Sequence, residues 1–367
     1  MSVQDVPKET MRCILASAHG DDIDSLLYMS GNSPKPTRKK GEVLIKAHAC
    51  ALAPGDVRVL AGHCDFFQEP PNGFPYIPGG DVSGVVVEAD GKSRFKAGDA
   101  VMAMFELPRP LNGLAEFISV KEKLVEMAPK SVPLINASTL PSSAMVAMIA
   151  AKKFVKPGDR ILVLGGGGGV GTFFIQLAKA NGASFVVVTS TTDKEWLMPS
   201  LGADRVINYE EKDWWEDEEL LWRAPFDLIV DLAVGREAWV KAKQSKLLNR
   251  HGEFLAITLD KPLVEVHNLR QAFTAFGPMQ WRMLWTRLWP FTPRYTWLGD
   301  GLEIKPGRLA EVARLVDDGM KIVLDPVSPL PFSEEGVKRG FHIMKKRHAH
   351  GKVVVSIQDH SSIQCLL

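Results

Sequence analysis

The sequence predicts an α/β protein in which a mainly β domain precedes a domain built on a doubly wound parallel sheet. Between residues 11 and 130, short valine-rich runs are bounded by Gly and Pro, a pattern typical of a β-rich, barrel-like region. From about residue 138, strand and helix patterns alternate, which indicates βαβ units and therefore a parallel sheet. At 367 residues and 46% hydrophobic, the chain is long enough to give each domain its own core.

The individual elements follow from the same patterns. In the first region, the predicted strands are the runs GEVLIKAHAC, GDVSGVVVEAD, GDAVMAMF and GLAEFISV. In the second region, we predict strands at 160–164, 184–190, 205–208, 227–232 and 252–258. Helices are predicted between them at 169–180, 193–200 and 236–248. The chain closes with a predicted helix near 307–319 and β segments at 322–328 and 352–357.

The segment 279–298 is unusual because it holds four of the nine tryptophans. One helical face of this segment consists of Trp281, Leu284, Trp285 and Leu288. Pro290 and Pro293 end that helix early, so we predict a packed lid or a subunit contact. An interfacial membrane helix is the alternative, which leaves a peripheral membrane contact open.

Composition and charge exclude several classes of function. The 44 Lys and Arg residues nearly balance the 43 Asp and Glu residues, so we expect no nucleic-acid partner. The four cysteines form no CxxC pair, which argues against a disulfide framework and favours a reducing compartment. No apolar stretch reaches the length of a membrane span, and the first residues lack the apolar core of a signal peptide. We therefore expect a cytoplasmic protein that acts on a small molecule.

Five consecutive glycines, 165–169, stand between the apolar run RILVL and the helical run VGTFFIQLAKA. A flexible linker would have polar flanks, whereas strand, tight turn and helix in this order aim a helix N-terminus at an anion. Gly166, Gly168 and Gly171 satisfy the spacing GxGxxG. Gly165 with the last two satisfies the looser GxxGxxG. The run therefore predicts a dinucleotide phosphate site, and spacing leaves its register open.

The end of the next strand distinguishes NAD from NADP. NAD sites usually place Asp or Glu there to bind the ribose 2′-hydroxyl. This strand ends instead in hydroxyl side chains, with a lysine close behind: Thr189, Ser190, Thr191, Thr192 and Lys194. Hydroxyls and a cation suit a 2′-phosphate, so the sequence favours NADPH. Asp193 could serve NAD, although we assign it to helix capping.

Four further motifs follow one another along the chain: KPGDRILVLGGGGGVG, LGADRVINY, FDLIVDLAVG and a final GKVVV. Together they resemble the medium-chain dehydrogenase/reductase superfamily, and within it the zinc-free quinone oxidoreductase and enoyl reductase branch. The resemblance spans about residues 11–357. It implies a GroES-like catalytic domain at 1–133, completed by 301–367, and a Rossmann NADPH-binding domain at 134–300.

The resemblance also implies a set of cofactor-binding residues. The AxxGGVG loop of the branch maps onto Gly165, Gly168, Gly169, Val170 and Gly171. Its 2′-phosphate contacts map onto Ser190, Lys194, Tyr209 and Arg347, and Val234 is expected near the nicotinamide. Gly166 and Gly167 replace residues that relatives fill with other small side chains, so we expect substitutions there to be tolerated better.

The same resemblance predicts that no zinc is bound. Zinc-dependent relatives take their catalytic ligands from positions that align with Ala53, Gly80 and Ser142, none of which is a strong zinc ligand. A conjugated carbonyl lessens the need for a metal, because hydride can add at the β-carbon or ring while the oxygen becomes an enolate or hydroquinone. We therefore expect NADPH-dependent reduction of a quinone, an enone or enal, or an enoyl thioester.

Departures from the branch indicate an apolar pocket that suits a hydrophobic substrate. Ala53 replaces the usual Asn before Pro54, and Val146 and Met148 replace a Thr and a Tyr. Because these polar groups are lost, a second class of function stays open: an NADPH-binding sensor or structural protein with little catalysis. Relatives are often dimers, so a homodimer is also expected.

Two residues are candidates for catalysis. Arg58 stands where the branch has a Tyr, and its guanidinium can donate to a developing enolate. The alternative for Arg58 is a salt bridge to Asp56 or Asp81. His63 could relay a proton, or it could cap a turn.

Overall fold

A computed structural model describes residues 9–63, 65–70, 72–104, 112–261, 264–289, 291–301 and 307–358. The chain divides into two compact units. The first comprises 1–142, 306–319 and 324–367, and the second comprises 143–305 and 320–323. The division after Ser142 comes somewhat later than the boundary expected after residue 133.

Fifteen strands are described: β1 (Thr10–Ala16), β2 (Leu27–Pro34), β3 (Glu42–Leu52), β4 (Asp81–Glu88), β5 (Ala100–Ala103), β6 (Phe117–Lys121), β7 (Val125–Met127), β8 (Arg160–Leu164), β9 (Phe185–Ser190), β10 (Arg205–Asn208), β11 (Phe226–Asp231), β12 (Leu248–Ala256), β13 (Arg294–Trp297), β14 (Leu330–Pro331) and β15 (Val353–Ser356). The described helices are α1 (Ile23–Leu26), α2 (Pro54–Ala61), α3 (Asp65–Gln68), α4 (Leu134–Ala137), α5 (Ser143–Phe154), α6 (Gly169–Ala180), α7 (Glu218–Arg223), α8 (Arg236–Gln244), α9 (Leu269–Leu288), α10 (Arg308–Asp317) and α11 (Glu334–Lys346). Short 3₁₀ helices cover Glu122–Leu124, Thr192–Leu201, Trp214–Glu216 and Leu298–Gly301.

The first unit is mainly β, as predicted. Its seven-stranded sheet has the order β14-β15-β3-β4-β5-β7, with β6 also paired to β3, and β1 and β2 form a separate pair. The four valine-rich runs named above supply β3, β4, β5 and β6. The strand predicted at 322–328 is wrong: only Leu324 forms an isolated bridge, to Lys352. Pro326 and Pro329 explain the difference, because proline cannot donate to a ladder.

The second unit is a doubly wound α/β structure built on a six-stranded parallel sheet. The strand order β10-β9-β8-β11-β12-β13 is that of a dinucleotide-binding fold. Its core is apolar and includes Leu162, Leu164, Val187, Ile229, Trp239, Phe254 and Tyr295. The predicted alternation of strands and helices is therefore confirmed.

Several predicted elements differ in type or extent. The helix predicted at 193–200 is a 3₁₀ helix that contains Pro199, whose ring and missing N–H disfavour an α-helix interior. The helix predicted at 236–248 ends at Gln244, because Lys246 adopts a left-handed φ of +57° and β12 begins at Leu248. Sequence patterning missed α5, which is buried on most sides and therefore lacks an amphipathic period.

Candidate functional site

The loop between β8 and α6 carries the predicted phosphate-binding turn. Gly165 adopts a left-handed φ of +83°, and its N–H donates to the Thr189 hydroxyl at 2.9 Å. The Gly166 N–H donates to the Thr189 carbonyl at 3.1 Å. These two bonds tie the turn to the end of β9. Gly168 then caps α6 with extended backbone, so strand, turn and helix follow the predicted order.

The space around each glycine shows which of them the fold itself requires. A Cβ on Gly165 would lie 2.7 Å from the Cβ of Ala233. A Cβ on Gly166 would lie 2.1 Å from Val188 Cγ1, and one on Gly171 would lie 2.5 Å from the Gly166 carbonyl oxygen. All three distances are below 3.0 Å, closer than a Cβ atom approaches a non-bonded heavy atom in folded proteins. The expectation that Gly166 tolerates substitution is therefore wrong.

Gly168 differs, because a side chain there would face open space. The atom nearest to a Cβ on Gly168 is the Gly165 carbonyl oxygen, at 3.9 Å. The Thr172 N–H donates to the Gly168 carbonyl at 3.1 Å, so the N–H groups of residues 169–171 precede the first bond within the helix. Such amides at a helix N-terminus form an anion site. The turn therefore fits a pyrophosphate on its open side.

Three of the four residues predicted to bind the 2′-phosphate of the ribose, Ser190, Lys194 and Tyr209, lie at or just after the ends of β9 and β10. A Cβ on Gly167 would lie 2.6 Å from Lys194 Cδ and 3.3 Å from Ser190 Oγ. The Tyr209 N–H donates to the Ser190 carbonyl at 3.2 Å. Ser190 Oγ is buried, and within the described part of the chain it has no hydrogen-bond partner. An orphaned hydroxyl beside a lysine fits a phosphate that bonds to both.

Acidic side chains border this group, and sequence reasoning missed one of them. The Glu210 carboxylate accepts from the Thr192 N–H and hydroxyl, both at 3.2 Å. Asp193 hydrogen-bonds with the Thr191 hydroxyl, within the turn that we expected it to cap. Burial, Glu210 and Asp193 together raise the pKa of Tyr209. Tyr209 is therefore protonated at neutral pH and can serve as a donor.

The loop that carries Val234 is organised by a buried carboxylate that sequence reasoning did not single out. Asp231, at the end of β11, accepts from the N–H groups of Ala233, Val234 and Gly235 at 3.0, 2.8 and 2.6 Å. Its side chain is fully buried. An Asp that ends an apolar strand and precedes a glycine is a signal that could have identified it. Asp231 thus fixes the backbone at Val234.

Arg347 belongs to the other compact unit. It follows α11 as its C-cap, with a left-handed φ of +59°, and its side chain is exposed. Its contact with the cofactor stays a prediction.

Arg58 and His63 lie close together at the C-terminal end of α2 in the first unit. The His63 N–H donates to the Arg58 carbonyl at 3.2 Å, and both side chains are half-buried. Among the described residues, Arg58 forms no ion pair, so the expected alternative of a salt bridge to Asp56 or Asp81 is not found. His63 Nδ1 is buried without a hydrogen-bond partner in the described chain.

The two aspartates have other partners. The Asp56 carboxylate accepts from the Ala53 N–H at 2.8 Å, and desolvation raises the pKa of Asp56 to about 7. Asp81 lies 3.5 Å from the Lys352 ammonium, with both side chains buried, and it also hydrogen-bonds with the Ser142 hydroxyl. Burial raises the pKa of Asp81, while Lys352 opposes that shift. The first contact lies within the start of α2, whereas the second joins the first residue of β4 to the residue before β15.

Metal-ligating side chains are dispersed in the described ranges. No three His, Cys, Asp or Glu side chains among those residues form a group that could hold a metal ion. Ala53 and Ser142 are hydrogen-bonded to carboxylates instead. The zinc-free character of the site stays a prediction.

Comparison with known proteins gives matches along most of the chain. A family model described as alcohol dehydrogenase GroES-like domain matches residues 39–128, and one described as zinc-binding dehydrogenase matches 201–355. The chain is 32% identical over 359 residues to the NADPH-dependent alkenal/one oxidoreductase, chloroplastic, of Arabidopsis thaliana, covering 95% of this chain and 80% of that protein. It is 33% identical over 338 residues to the 2-methylene-furan-3-one reductase of Solanum lycopersicum, covering 90% and 75%.

Solved structures share the fold at lower identity. The quinone oxidoreductase of Coxiella burnetii has a TM-score of 0.74 and 24% identity, covering 95% of this chain and 100% of that chain. The Escherichia coli quinone oxidoreductase complexed with NADPH has a TM-score of 0.74 and 21% identity, covering 94% and 99%. With the curated relatives above, these matches confirm the resemblance found in the sequence. The chain therefore belongs to the medium-chain dehydrogenase/reductase superfamily, in its quinone oxidoreductase branch.

Proposed function

We propose that this protein is a zinc-independent reductase that transfers hydride from NADPH to a conjugated carbonyl, with Arg58 donating to the substrate oxygen. An NADPH-dependent oxidoreductase agrees with the names of two relatives, the NADPH-dependent alkenal/one oxidoreductase and the 2-methylene-furan-3-one reductase. The assignment of the cofactor rests on the surroundings of the turn after β8. Beside Gly167 of that turn, the buried Ser190 hydroxyl lies next to Lys194 and has no hydrogen-bond partner among the described residues.

We propose that residues of the second unit, with Arg347 of the first, bind and orient the cofactor. The N–H groups of 169–171 would hold the pyrophosphate, and Ser190 and Lys194 would hold the 2′-phosphate. Tyr209 and Arg347 are proposed to add donors to that phosphate. Val234, fixed by Asp231, would lie along the nicotinamide. Bound NADPH supplies the hydride.

The residues of the first unit are proposed to act on the substrate. Hydride addition at the β-carbon of an enone, or at a quinone ring, moves an electron pair onto the carbonyl oxygen. Arg58 forms no ion pair within the described chain, and a guanidinium carries N–H donors that suit a developing oxyanion, so we assign it to that oxygen. His63 is the proposed proton relay that returns the product to its neutral form.

The proposed substrate class rests on the residues that stand at the positions of the zinc ligands in metal-dependent relatives. Ala53, Gly80 and Ser142 occupy the positions of the zinc ligands in metal-dependent relatives. We therefore propose a hydrophobic quinone, enone or enal, or enoyl thioester rather than an alcohol. A cytoplasmic location and a homodimer also remain predictions.

The test is oxidation of NADPH by chelator-treated protein against quinones, enals and enoyl thioesters. We expect turnover with at least one of these classes, and no reduction of NADP⁺ by simple alcohols in the reverse assay. Tight NADPH binding without turnover on any of them would instead favour the second candidate, a nucleotide-binding sensor or structural protein. Turnover that is lost with the chelator and restored by zinc would refute zinc independence.

The role of Arg58 is tested by Arg58→Ala and Arg58→Lys. Loss of a donor to the developing oxyanion should lower turnover at least about tenfold in the Ala variant, with an intermediate effect in the Lys variant. The Kd for NADPH should stay unchanged, because Arg58 is assigned to the substrate. Arg339→Ala removes an exposed arginine from α11 and serves as the control. Unchanged turnover of Arg58→Ala would remove this residue from the mechanism.

A further inference from the structure

The C-terminal half of α9 exposes a row of aromatic side chains. Trp281 is 65% exposed, Trp285 is 47% exposed and Trp289 is 49% exposed. Their rings stack in order, with centroids 6.4 Å apart for the first pair and 5.6 Å for the second. Phe291, which follows the helix, is 69% exposed. The row therefore forms a continuous apolar surface that the described chain leaves uncovered.

The other face of α9 attaches the helix to its own unit. Met279 and Thr286 are buried, and the Thr286 hydroxyl accepts from the Tyr295 N–H at 3.1 Å. Arg282 forms a bidentate pair with Asp260, with both N–O distances at 2.8 Å. Since this face accounts for the packing of α9, the aromatic row is not needed to fix the helix.

The charge around the row is mainly positive. Residues 266–299 contain no Asp or Glu and four arginines: Arg270, Arg282, Arg287 and Arg294. Asp260 compensates Arg282, whereas Arg287 and Arg294 are exposed. Burial raises the pKa of Glu253, an acidic side chain close enough to Arg294 and Arg287 for both to oppose that shift, and its carboxylate accepts from the Thr296 hydroxyl. The surface around the tryptophans is therefore cationic.

A basic pocket adjoins the same end of α9. It has a volume of about 580 Å³, and its lining includes Lys243, Lys246 and Arg250 around Leu248 and Pro293. The three cations are exposed, and none of the residues lining the pocket is acidic. Pro293 lies two residues after Phe291, so the lining of the pocket begins close to the end of the aromatic row in the chain.

The topology places this pocket away from the glycine turn. The pocket is lined by residues at the amino ends of β11, β12 and β13, whereas the glycine turn follows the carboxyl end of β8. All these strands are parallel, so the two sites lie at opposite edges of one sheet. Because α9 connects β12 to β13, it returns from the carboxyl edge to the amino edge, and its tryptophans end beside the pocket.

We propose that this aromatic–basic face, defined as Trp281, Trp285, Trp289 and Phe291 with Lys243, Lys246 and Arg250, docks on a membrane of anionic phospholipids. Indole rings prefer the headgroup region, and exposed cations bind anionic headgroups. None of the described helices is long and apolar enough to cross a membrane, so the contact lies in the interface plane. A second copy fits less well, because a two-fold interface would bring cations against cations. The glycine turn at the other edge would stay accessible.

Co-sedimentation of the full chain with vesicles tests the proposal. We compare phosphatidylcholine vesicles with vesicles that also contain phosphatidylserine, and expect binding to the second only. Trp285→Ser with Trp289→Ser should weaken binding at least about tenfold. Lys246→Glu with Arg250→Glu should weaken it at least about fivefold and reduce its salt dependence. The matched controls are Trp196→Ser, a 75% exposed tryptophan in the 3₁₀ helix that follows β9, and Lys92→Glu, and both should bind like the wild type.

Three results would overturn the proposal. The first is absence of binding to anionic vesicles, and the second is binding that both double variants retain. The third is a dimer, measured by light scattering, that the tryptophan variant dissociates, since the face would then be a subunit contact. Quenching of the wild-type tryptophan fluorescence by brominated phosphatidylserine needs no variant, and lack of quenching counts against docking. NADPH oxidation should be equal in all variants, because the proposal does not depend on the catalytic assignment.

Discussion

Alanine at Gly166 should lower the stability of the fold, whereas alanine at Gly167 should mainly weaken NADPH binding. At Gly166 the new Cβ would lie 2.1 Å from Val188 Cγ1 and 3.2 Å from Ile175 Cδ1. Reaching a contact of about 3.5 Å needs a shift of more than 1 Å. Val188 is fully buried in β9 and β-branched, so it cannot rotate away. Overpacking of this kind costs about 1–3 kcal/mol, and we expect the upper part of that range.

At Gly167 the obstacle is a flexible side chain. The new Cβ would lie 2.6 Å from Lys194 Cδ, and the lysine stem can rotate to make room. The free energy of unfolding should therefore change by less than about 1 kcal/mol. NADPH should bind more weakly than to the wild type, because the displaced ammonium no longer reaches the 2′-phosphate, while NADH binding should change less.

Thermal unfolding of the cofactor-free variants and fluorescence titration with NADPH and NADH measure these effects. A loss of about 2–3 kcal/mol in a unit of this size lowers the Tm by about 4–12 °C for Gly166→Ala. Gly167→Ala should keep the Tm and lose selectivity for NADPH. Equal Tm values for the two variants would show that the space around the turn does not determine whether a side chain is tolerated at Gly166 and Gly167.

Three other substitutions test separate parts of the site. Gly168→Ala should change the stability of the cofactor-free protein by no more than about 0.5 kcal/mol, because the new Cβ meets open space. It should raise the Kd for NADPH at least about tenfold, because the phosphate would approach on that side. A normal affinity for NADPH would contradict that approach. Lys194→Ala should raise the Kd for NADPH about ten- to hundredfold with little change for NADH, as loss of a charge-assisted bond of about 1.5–3 kcal/mol implies, and an equal loss for both would refute its 2′-phosphate role. Desolvation raises the pKa of Asp56 from 3.8 in the unfolded chain to about 7 in the folded protein. The folded state therefore holds this proton more tightly, and the stability that this gives is complete below pH 3.8 and is lost as the pH rises to about 7. Asp56→Asn keeps an acceptor for the Ala53 N–H and should therefore flatten the fall in stability between about pH 4 and 7, by up to about 1.4 kcal/mol per pH unit; parallel pH profiles would count against this shift.

Local patterns were enough to predict the main architecture and the cofactor site. The apolar run RILVL, the glycines and the amphipathic helix are contiguous, so strand, turn and helix could be predicted with the correct bounds for β8 and α6. The hydroxyls and lysine after β9 likewise pointed to Ser190 and Lys194, which the structure brings together beside Gly167. These features depend on chain-local preferences, which sequence periodicity reports directly.

Local patterns failed where neighbours come from distant parts of the chain. Gly166 was expected to tolerate a side chain, but Val188 on the adjacent strand occupies the space. The pairing of Asp81 with Lys352 joins β4 to the residue before β15, and no spacing rule links positions so far apart. The same limit applies to Arg58. It forms no ion pair among the described residues because Asp56 and Asp81 have other partners, which its position in the sequence does not reveal.

The sequence alone therefore indicated a two-part α/β protein with a glycine turn and a preference for NADPH, because composition, period and residue order are properties of the chain itself. Its resemblance to a known family added the oxidoreductase class. Only the tertiary structure shows which glycines have no room for a side chain and which carboxylates are buried. It also shows that Trp281, Trp285 and Trp289 are exposed. Those properties depend on packing density and burial, which arise only when residues remote in sequence come into contact.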